Sequence, residues 1–326
     1  MKFLRRIAAL LAGFVFFAAG FLKLMDPVGA GLVVEEYFKF LHLAFLTPVS
    51  KVVAVGAALL ETFVGAALIT GVWKKVTALV TLALTAFFTL LTLVILIFNP
   101  PMDCGCFGQA VHLTHAQTFL KNIVLLALWA LAFLPLSRLE PAPKIKTVSF
   151  AIAVISVVVF TVLSLLGVPM ADFTPFAPGE DVSGQLSLSD SGGEYCDSLA
   201  LQGRVMVISE YNPERRPGDA DRFLSDAAAS GFRTLELAAA IPEEGEDFYF
   251  ADRRTLMTLN RSNGGATYLD GGRVICKWPA RSLPDAEKLA VLRDETSTEA
   301  LLSASSSSRV RVQGFLLYVF AVMLLL

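Results

Sequence analysis

The chain has 326 residues, of which 55% are hydrophobic and only 17% charged, and its formal net charge is −2. With a mean hydropathy of +0.63, that composition excludes an ordinary soluble enzyme and describes an integral membrane protein set in a lipid bilayer. The near-zero net charge, with no arginine-rich face, excludes nucleic acid as a partner.

About 20 apolar residues are needed to cross a bilayer, and such runs fall at residues 7–24, 52–72, 76–98, 119–136 and 148–168. A shorter run at residues 312–326 is expected to be a sixth, truncated span. The first run has the basic start and apolar core of a secretory signal. No small-x-small cleavage site follows it and more spans do, so it reads as an uncleaved helix. Basic residues collect on the cytoplasmic side of short loops. Lys2, Arg5 and Arg6 precede the first span, Lys74 and Lys75 join the second to the third, and Arg138, Lys144 and Lys146 join the fourth to the fifth. All three clusters fall on one side. The connection 26–51, the loop after the third span and the polar segment after Val168 then face the other side.

Glu61 lies within the second span, where an ionised acidic side chain costs about 2.5 to 3.5 kcal/mol. It is expected to face the bundle interior, either as a proton carrier or ligand-binding group, or as a packing residue hydrogen-bonded to Lys23. Gly56 and Gly65 of the same span are expected to permit close helix packing.

Asn99-Pro100-Pro101 ends the third span, because proline cannot continue the helical ladder, and Thr114-x-x-Gln117 has the form of a capping box that opens the fourth. Between them stands Asp103-Cys104-Gly105-Cys106-Phe107-Gly108. Two thiols one residue apart can bridge only through a tight turn, and Gly105 supplies it at low steric cost. The small ring is strained, which raises the reduction potential and favours thiol exchange. A nearby helix N-terminus would favour a thiolate. Two other readings stay open. Cys104 and Cys106 with His112 and His115 form a candidate metal set, although one residue between thiols is tighter than structural zinc sites use. The pair can also be an inert structural disulfide.

After Val168 the chain turns polar and proline-rich, as a linker does before a soluble module. Residues 204–211 and 233–238 read as strands, 219–230 and 252–260 as helices, and 247–250 as extended. Residues 266–269 and 274–278 form a hairpin through Asp270-Gly271-Gly272-Arg273. That order is thioredoxin-like. Residues 303–308, rich in serine, read as a flexible tract.

Four features of the first four spans carry a family resemblance: the run Asp103 to Gly108, Lys23-x-x-Asp26-Pro27, Glu61, and Phe119-x-Lys121-Asn122. They resemble the DoxX-like / MauE (methylamine-utilisation) family of membrane proteins. The later half is similar to the thioredoxin-like extension of longer bacterial members, especially from Bacteroidetes. The matching residues run from Asp172-Phe-x-Pro175, through Leu256-x-Thr258-x-x-Arg261-Ser262-Asn263, to Gly272-x-Val274-Ile275-x-Lys277-Trp278. The resemblance implies an inner-membrane protein with a periplasmic domain and a periplasmic thiol protein as partner. Methylamine-utilisation relatives are linked to maturation of a disulfide-rich dehydrogenase, and DoxX relatives to thiosulfate:quinone oxidation. No cofactor motif stands in the residues themselves; a quinone enters only through the resemblance.

The soluble module departs from a redox-active thioredoxin. Glu210-Tyr211-Asn212-Pro213-Glu214 stands where Cys-x-x-Cys would follow the first central strand, and Asn263-Gly264-Gly265-Ala266 replaces the proline before the hairpin. Cys196 and Cys276 lie outside the family's motif and can be bridged or free. The expected fold is an α-helical membrane bundle followed by a soluble α/β domain. Its parts are a four-helix DoxX/MauE-like domain (residues 1–140), a fifth helix (141–170), a periplasmic thioredoxin-like domain (171–308) and a sixth helix (309–326). The expected function is membrane thiol-disulfide redox chemistry with Cys104 and Cys106 carrying the electrons and Gly105, Asp103, Glu61 and Lys23 in support. The competing class is a non-enzymatic scaffold whose cysteines staple a loop.

Overall fold

The computed structural model describes residues 2–136, 144–166, 172–212, 218–239 and 249–325. The expected boundaries at 140/141 and 170/171, and the readings at Arg138, Val168, Pro213, Glu214 and residues 247–248, lie outside them. The chain divides into two compact units, residues 1–164 with 313–326, and residues 165–312.

Five helical stretches among the described residues of the first unit are long and apolar enough to cross a membrane. They are α1 (Lys2–Met25), α3 (Ser50–Thr70) extended by the 3₁₀ turn Ala44–Val49, α4 (Lys74–Phe98), α5 (His115–Phe133) and α6 (Lys144–Leu166). In a bilayer, apolar burial does not drive helices together, so close backbone approach must. A Cβ on Gly20 of α1 would stand 2.3 Å from Thr62 Oγ1, and one on Gly65 of α3 would stand 2.4 Å from the Phe17 amide. Gly65 thus packs as expected. Gly56 does not: nothing lies within 4 Å of its would-be Cβ, so it carries no close packing.

The connection 26–51 is more ordered than the sequence suggests. Asp26 accepts a hydrogen bond from the Gly29 amide at 2.9 Å and Pro27 occupies the first turn, and together they start α2 (Pro27–Phe40). At 14 residues it is too short to span. The capping box of α5 forms as expected, with the Gln117 amide donating to Thr114 Oγ1 at 3.2 Å and the Thr114 amide donating to Gln117 Oε1 at 3.0 Å. The buried polar side of α4 is a row of threonines. Thr77, Thr81, Thr85, Thr89 and Thr92 each donate to a carbonyl four or five residues back, which satisfies their hydroxyls without a partner helix.

Contacts within this unit sort its ends. Arg6 donates to the carbonyls of Leu68 and Ile69 at the close of α3, and the Trp73 ring meets Phe150 of α6 at 5.3 Å. Arg6, Lys74 and Lys144 therefore share one end. At the other, Ser164 donates to the Met25 carbonyl and Gly108 lies against the backbone of Lys23.

The last helix, α11 in chain order, runs Ser297–Leu325 without a break. Residues 303–308 are thus helical and not a flexible tract. The flanking helix formers outweigh the weak helix propensity of serine, and Ser303 donates to the Ala300 carbonyl. In the first unit, Phe315 and Phe320 near its end pack on Phe14, Phe17 and Phe21 of α1 and Phe160 of α6.

The second unit is α/β. Its sheet joins β2 (Arg204–Glu210), β3 (Arg233–Ala238), β4 (Tyr249–Phe250), β5 (Gly265–Asp270) and β6 (Arg273–Trp278) in the order β4-β3-β2-β5-β6. β2, β3 and β4 are parallel; β5 and β6 run antiparallel through a Gly271-Gly272 turn with positive φ at both glycines. Strand alternation divides the core. Val205, Val207, Leu237 and Leu269 face one side with α9 (Arg253–Leu259), while Met206, Ile208 and Tyr268 face α8 (Ala220–Ala229) and α10 (Ala286–Asp294). The short helix α7 (Ser198–Leu201) precedes β2, and the four-residue strand β1 (Cys106–Gln109) belongs to the first unit.

Candidate functional site

In the first unit, α1 to α5 and the Cys-Gly-Cys loop line a partly open cavity of about 230 Å³. Its wall is aliphatic and aromatic apart from Lys23, Tyr37, Glu61, Thr85, Thr92, Lys121, Asn122 and the two thiols, Cys104 and Cys106. Residues 80 or more positions apart in sequence thus meet in one chamber.

Lys23 Nζ lies 2.8 Å from both carboxylate oxygens of Glu61, and Glu61 is 3% exposed. The ion pair resolves how an acidic residue is tolerated within a span: the cation comes from the neighbouring helix and both charges turn inward. Both sequence readings of Glu61 meet here, since it is paired with Lys23 and also lines the cavity. Asn122 donates to Thr92 Oγ1 at 3.1 Å across α4 and α5.

The thiol loop is clamped on α2. Tyr37 Oη donates to the Cys104 carbonyl at 2.8 Å. Gly105 has φ +58°, and a Cβ there would stand 2.3 Å from Val33 Cγ1, so both the turn and the close approach require glycine. Cys104 is buried and Cys106, the first residue of β1, is half-buried; all four cysteines are free thiols. Burial pushes the Cys104 thiol up, Thr118 works against that, Cys106 and Asp103 push it further up, and the Lys121 charge opposes them. Desolvation is the largest of these influences.

Asp103 and the histidines stand apart from the chamber. Asp103 is exposed and pairs with His112 at 3.3 Å. His115 meets Asn99 Oδ1 at 2.9 Å and the Met102 carbonyl at 3.1 Å, which ties the two ends of the loop together. Neither imidazole is turned onto the thiols. Among the described residues no group of three or more His, Cys, Asp or Glu is placed to hold a metal ion, so the alternative set Cys104, Cys106, His112, His115 is not brought together.

Sequence reasoning did not single out Tyr37, Thr118 or Thr92. Lys121 and Asn122 stood in the quoted motif with no role given to them. The available signal was polarity: each is a polar residue on or beside an otherwise apolar helix.

In the second unit, the end of β2 is closed by hydrogen bonds. Tyr211 Oη donates to the Arg261 carbonyl at 3.0 Å, the Asn212 amide donates to Asn263 Oδ1 at 2.7 Å, and Asn263 Nδ2 returns a bond to the Asn212 carbonyl at 3.0 Å. Asn260 braces the start of the hairpin through the carbonyls of Ala266 and Trp278. Cys196 packs on the core of one sheet face and Cys276 is buried in the other. The sheet separates them, which rules out a bridge in this fold. Burial pushes the Cys276 thiol up to about 11.

The family described as methylamine utilisation protein MauE matches residues 1–136. This part of the chain, which contains the whole cavity wall, is similar to that family and carries four of the apolar helices long enough to cross a membrane. Comparison with curated proteins and with solved structures returned no match.

Proposed function

We propose that this chain, MauE-like over residues 1–136, is a membrane thiol-disulfide redox protein in which Cys104 and Cys106 exchange with thiols of a partner. The observation that carries this reading is the single cavity on which both thiols and the Lys23–Glu61 pair open. Forming one disulfide from two thiols releases two electrons and two protons. Of the Lys23–Glu61 pair that lines the same cavity, the Glu61 carboxylate is a group of the right kind to take one of those protons, and the second leaves to solvent or to the electron acceptor. The three basic clusters support the cytoplasmic placement of the Arg6–Lys74–Lys144 end, which puts the thiol loop on the periplasmic side of an inner membrane. The strand order β3-β2-β5-β6 supports a thioredoxin-like reading of the second unit. With Tyr211-Asn212 at the end of β2, that unit's part is to bind or position a partner.

A quinone, implied by the DoxX resemblance, suits the cavity. An apolar cavity of about 150 Å³ already takes benzene, and the larger chamber here is mostly apolar, with Lys23, Asn122 and Thr92 among its polar groups. Those residues would hold the head group. When bound, such a carrier accepts two electrons and two protons.

The deciding measurement is the reduction potential of the Cys104/Cys106 pair, read by maleimide mass shift after equilibration of the full-length protein in thiol redox buffers. A pair that titrates between roughly −180 and −270 mV behaves as a redox centre; one below about −300 mV is structural. The burial of Cys104 and the clamp from Tyr37 favour the scaffold reading as the alternative, and the second outcome selects it. Thiol labelling of single-cysteine variants in intact spheroplasts tests the orientation, and labelling at Cys106 only after lysis would reverse it.

A further inference from the structure

We propose that the two thiols have fixed and different roles: Cys106 exchanges with the partner, Cys104 is the resolving thiol, and Lys121 and Thr118 are its positioning residues. This rests on the redox reading above and adds a direction to it. Cys104 is 6% exposed, and its carbonyl is held by Tyr37. Cys106 is half-buried and starts a strand. A partner sulfur needs a straight approach to the bond that it breaks, and only Cys106 presents one. Thr118 is fully buried, and its hydroxyl has no hydrogen-bond partner; against the burial that raises the Cys104 thiol, Thr118 acts to lower it. Lys121, one turn further along α5, lines the same cavity, with its ammonium 5.3 Å from the Phe107 ring beside the loop. Thus α5 carries an unpartnered buried hydroxyl, and a cation on the cavity that Cys104 also lines.

The roles follow from the exchange chemistry. Starting from the oxidised pair, a thiolate of a partner dithiol bonds to Cys106 Sγ and the Cys104–Cys106 bond breaks. Cys104 leaves with the electron pair as a thiolate and takes up the proton that the partner thiol lost. The partner's second thiol then attacks its own sulfur in the mixed disulfide and releases Cys106, which takes the second proton. The partner is oxidised by two electrons and the pair reduced by two. Burial opposes a thiolate on Cys104, and Thr118 and Lys121 offset that cost when it forms. In reverse, the same two groups ready Cys104 to close the bridge.

The test uses full-length protein with Cys196 and Cys276 replaced by serine and a fluorescent two-cysteine peptide disulfide as probe. In reduced protein, Cys104→Ser should accumulate a dithiothreitol-sensitive adduct on Cys106, at least about tenfold more than Cys106→Ser does. Equal trapping, or more on Cys106→Ser, overturns the assignment while leaving the redox reading in place; no adduct on either variant overturns both. Alkylation by iodoacetamide separates positioning from folding. Lys121→Gln should move the Cys104 curve to higher pH and slow its alkylation near neutrality by about three- to tenfold. Lys121→Arg should restore it, with Cys106 unmoved. Thr118→Val and Thr118→Ser should repeat the pattern. A Cys104 curve indifferent to both residues, in variants with native helical circular dichroism, removes them from the role.

Discussion

In the membrane unit, two thiols stand beside a charged pair on the wall of a cavity, whereas in the α/β unit two thiols lie on opposite faces of a sheet and the strand end is closed by amide hydrogen bonds. The difference lies in what surrounds each pair of thiols. The end of β2 is closed by the hydrogen bonds of Tyr211 and Asn212, while Cys104 and Cys106 line the cavity of the membrane unit. Both units bury an ion pair: Lys23–Glu61 on the cavity, and Asp172–Lys277, which is 8% and 5% exposed. The first lines the cavity of the membrane unit.

The comparison breaks most completely at the cysteines. Replacing Cys104 and Cys106 together by serine should abolish the redox titration, while Cys196→Ser with Cys276→Ser should leave the midpoint unchanged within error. A midpoint that follows the second pair would transfer the chemistry to the α/β unit.

The ion pairs come next. Glu61→Gln leaves the Lys23 ammonium without its counter-charge, and breaking a buried pair costs about 3 to 5 kcal/mol. Denaturation in detergent should show that loss, and the apolar double variant Lys23→Met/Glu61→Leu should recover most of it. If activity is lost in the double variant while stability returns, the pair serves the reaction; if both return, it serves packing.

Gly105→Ala should cost about 1 to 3 kcal/mol for the positive φ, with overlap against Val33 added to it. Val33→Ala should relieve only the overlap. A fully native Gly105→Ala protein would contradict the clamp on α2.

The smallest effect concerns pH. Burial raises the Asp172 carboxyl, but the Lys277 charge and hydrogen bonds from Lys277 and Thr174 outweigh it and hold the group below the usual carboxylate range. A depressed folded-state value means that the stabilisation is present above the unfolded value, about 3.9, and is lost as pH falls through the folded one. Hydrogen exchange at β6 in the full chain should therefore accelerate on acidification below pH ~4, with the effect flattened in Asp172→Asn. An unaltered profile in that variant would assign the acid loss to other carboxylates.

Much of this architecture was legible in one dimension because its signals are local. Span length follows from bilayer thickness, the capping box Thr114–Gln117 from two side chains three residues apart, and the β5–β6 hairpin from its glycine turn. The misjudged segments depended on neighbours. Residues 26–51 contained the cap Asp26-Pro27 but were too short for a span, so α2 was missed. Residues 303–308 have linker composition yet continue a helix driven from both flanks. Gly56 and Gly65 look alike in sequence, and only the position of α1 separates them.

Sequence alone determined that the chain is membrane-embedded, that its thiols lie one residue apart in a loop between two spans, and that the β2 end lacks a Cys-x-x-Cys. These are facts of composition and spacing. Only the tertiary structure decided that Lys23 meets Glu61, that both open on the chamber reached by Cys104 and Cys106, that His112 and His115 turn elsewhere, and that Cys196 and Cys276 are kept apart. The physical reason is that a buried charge or thiol takes its properties from whichever helix or strand supplies its surroundings. Those surroundings come from residues 38 to 98 positions distant for the Lys23–Glu61 and Lys23–Lys121 neighbours of one cavity, a separation across which local propensity carries no information.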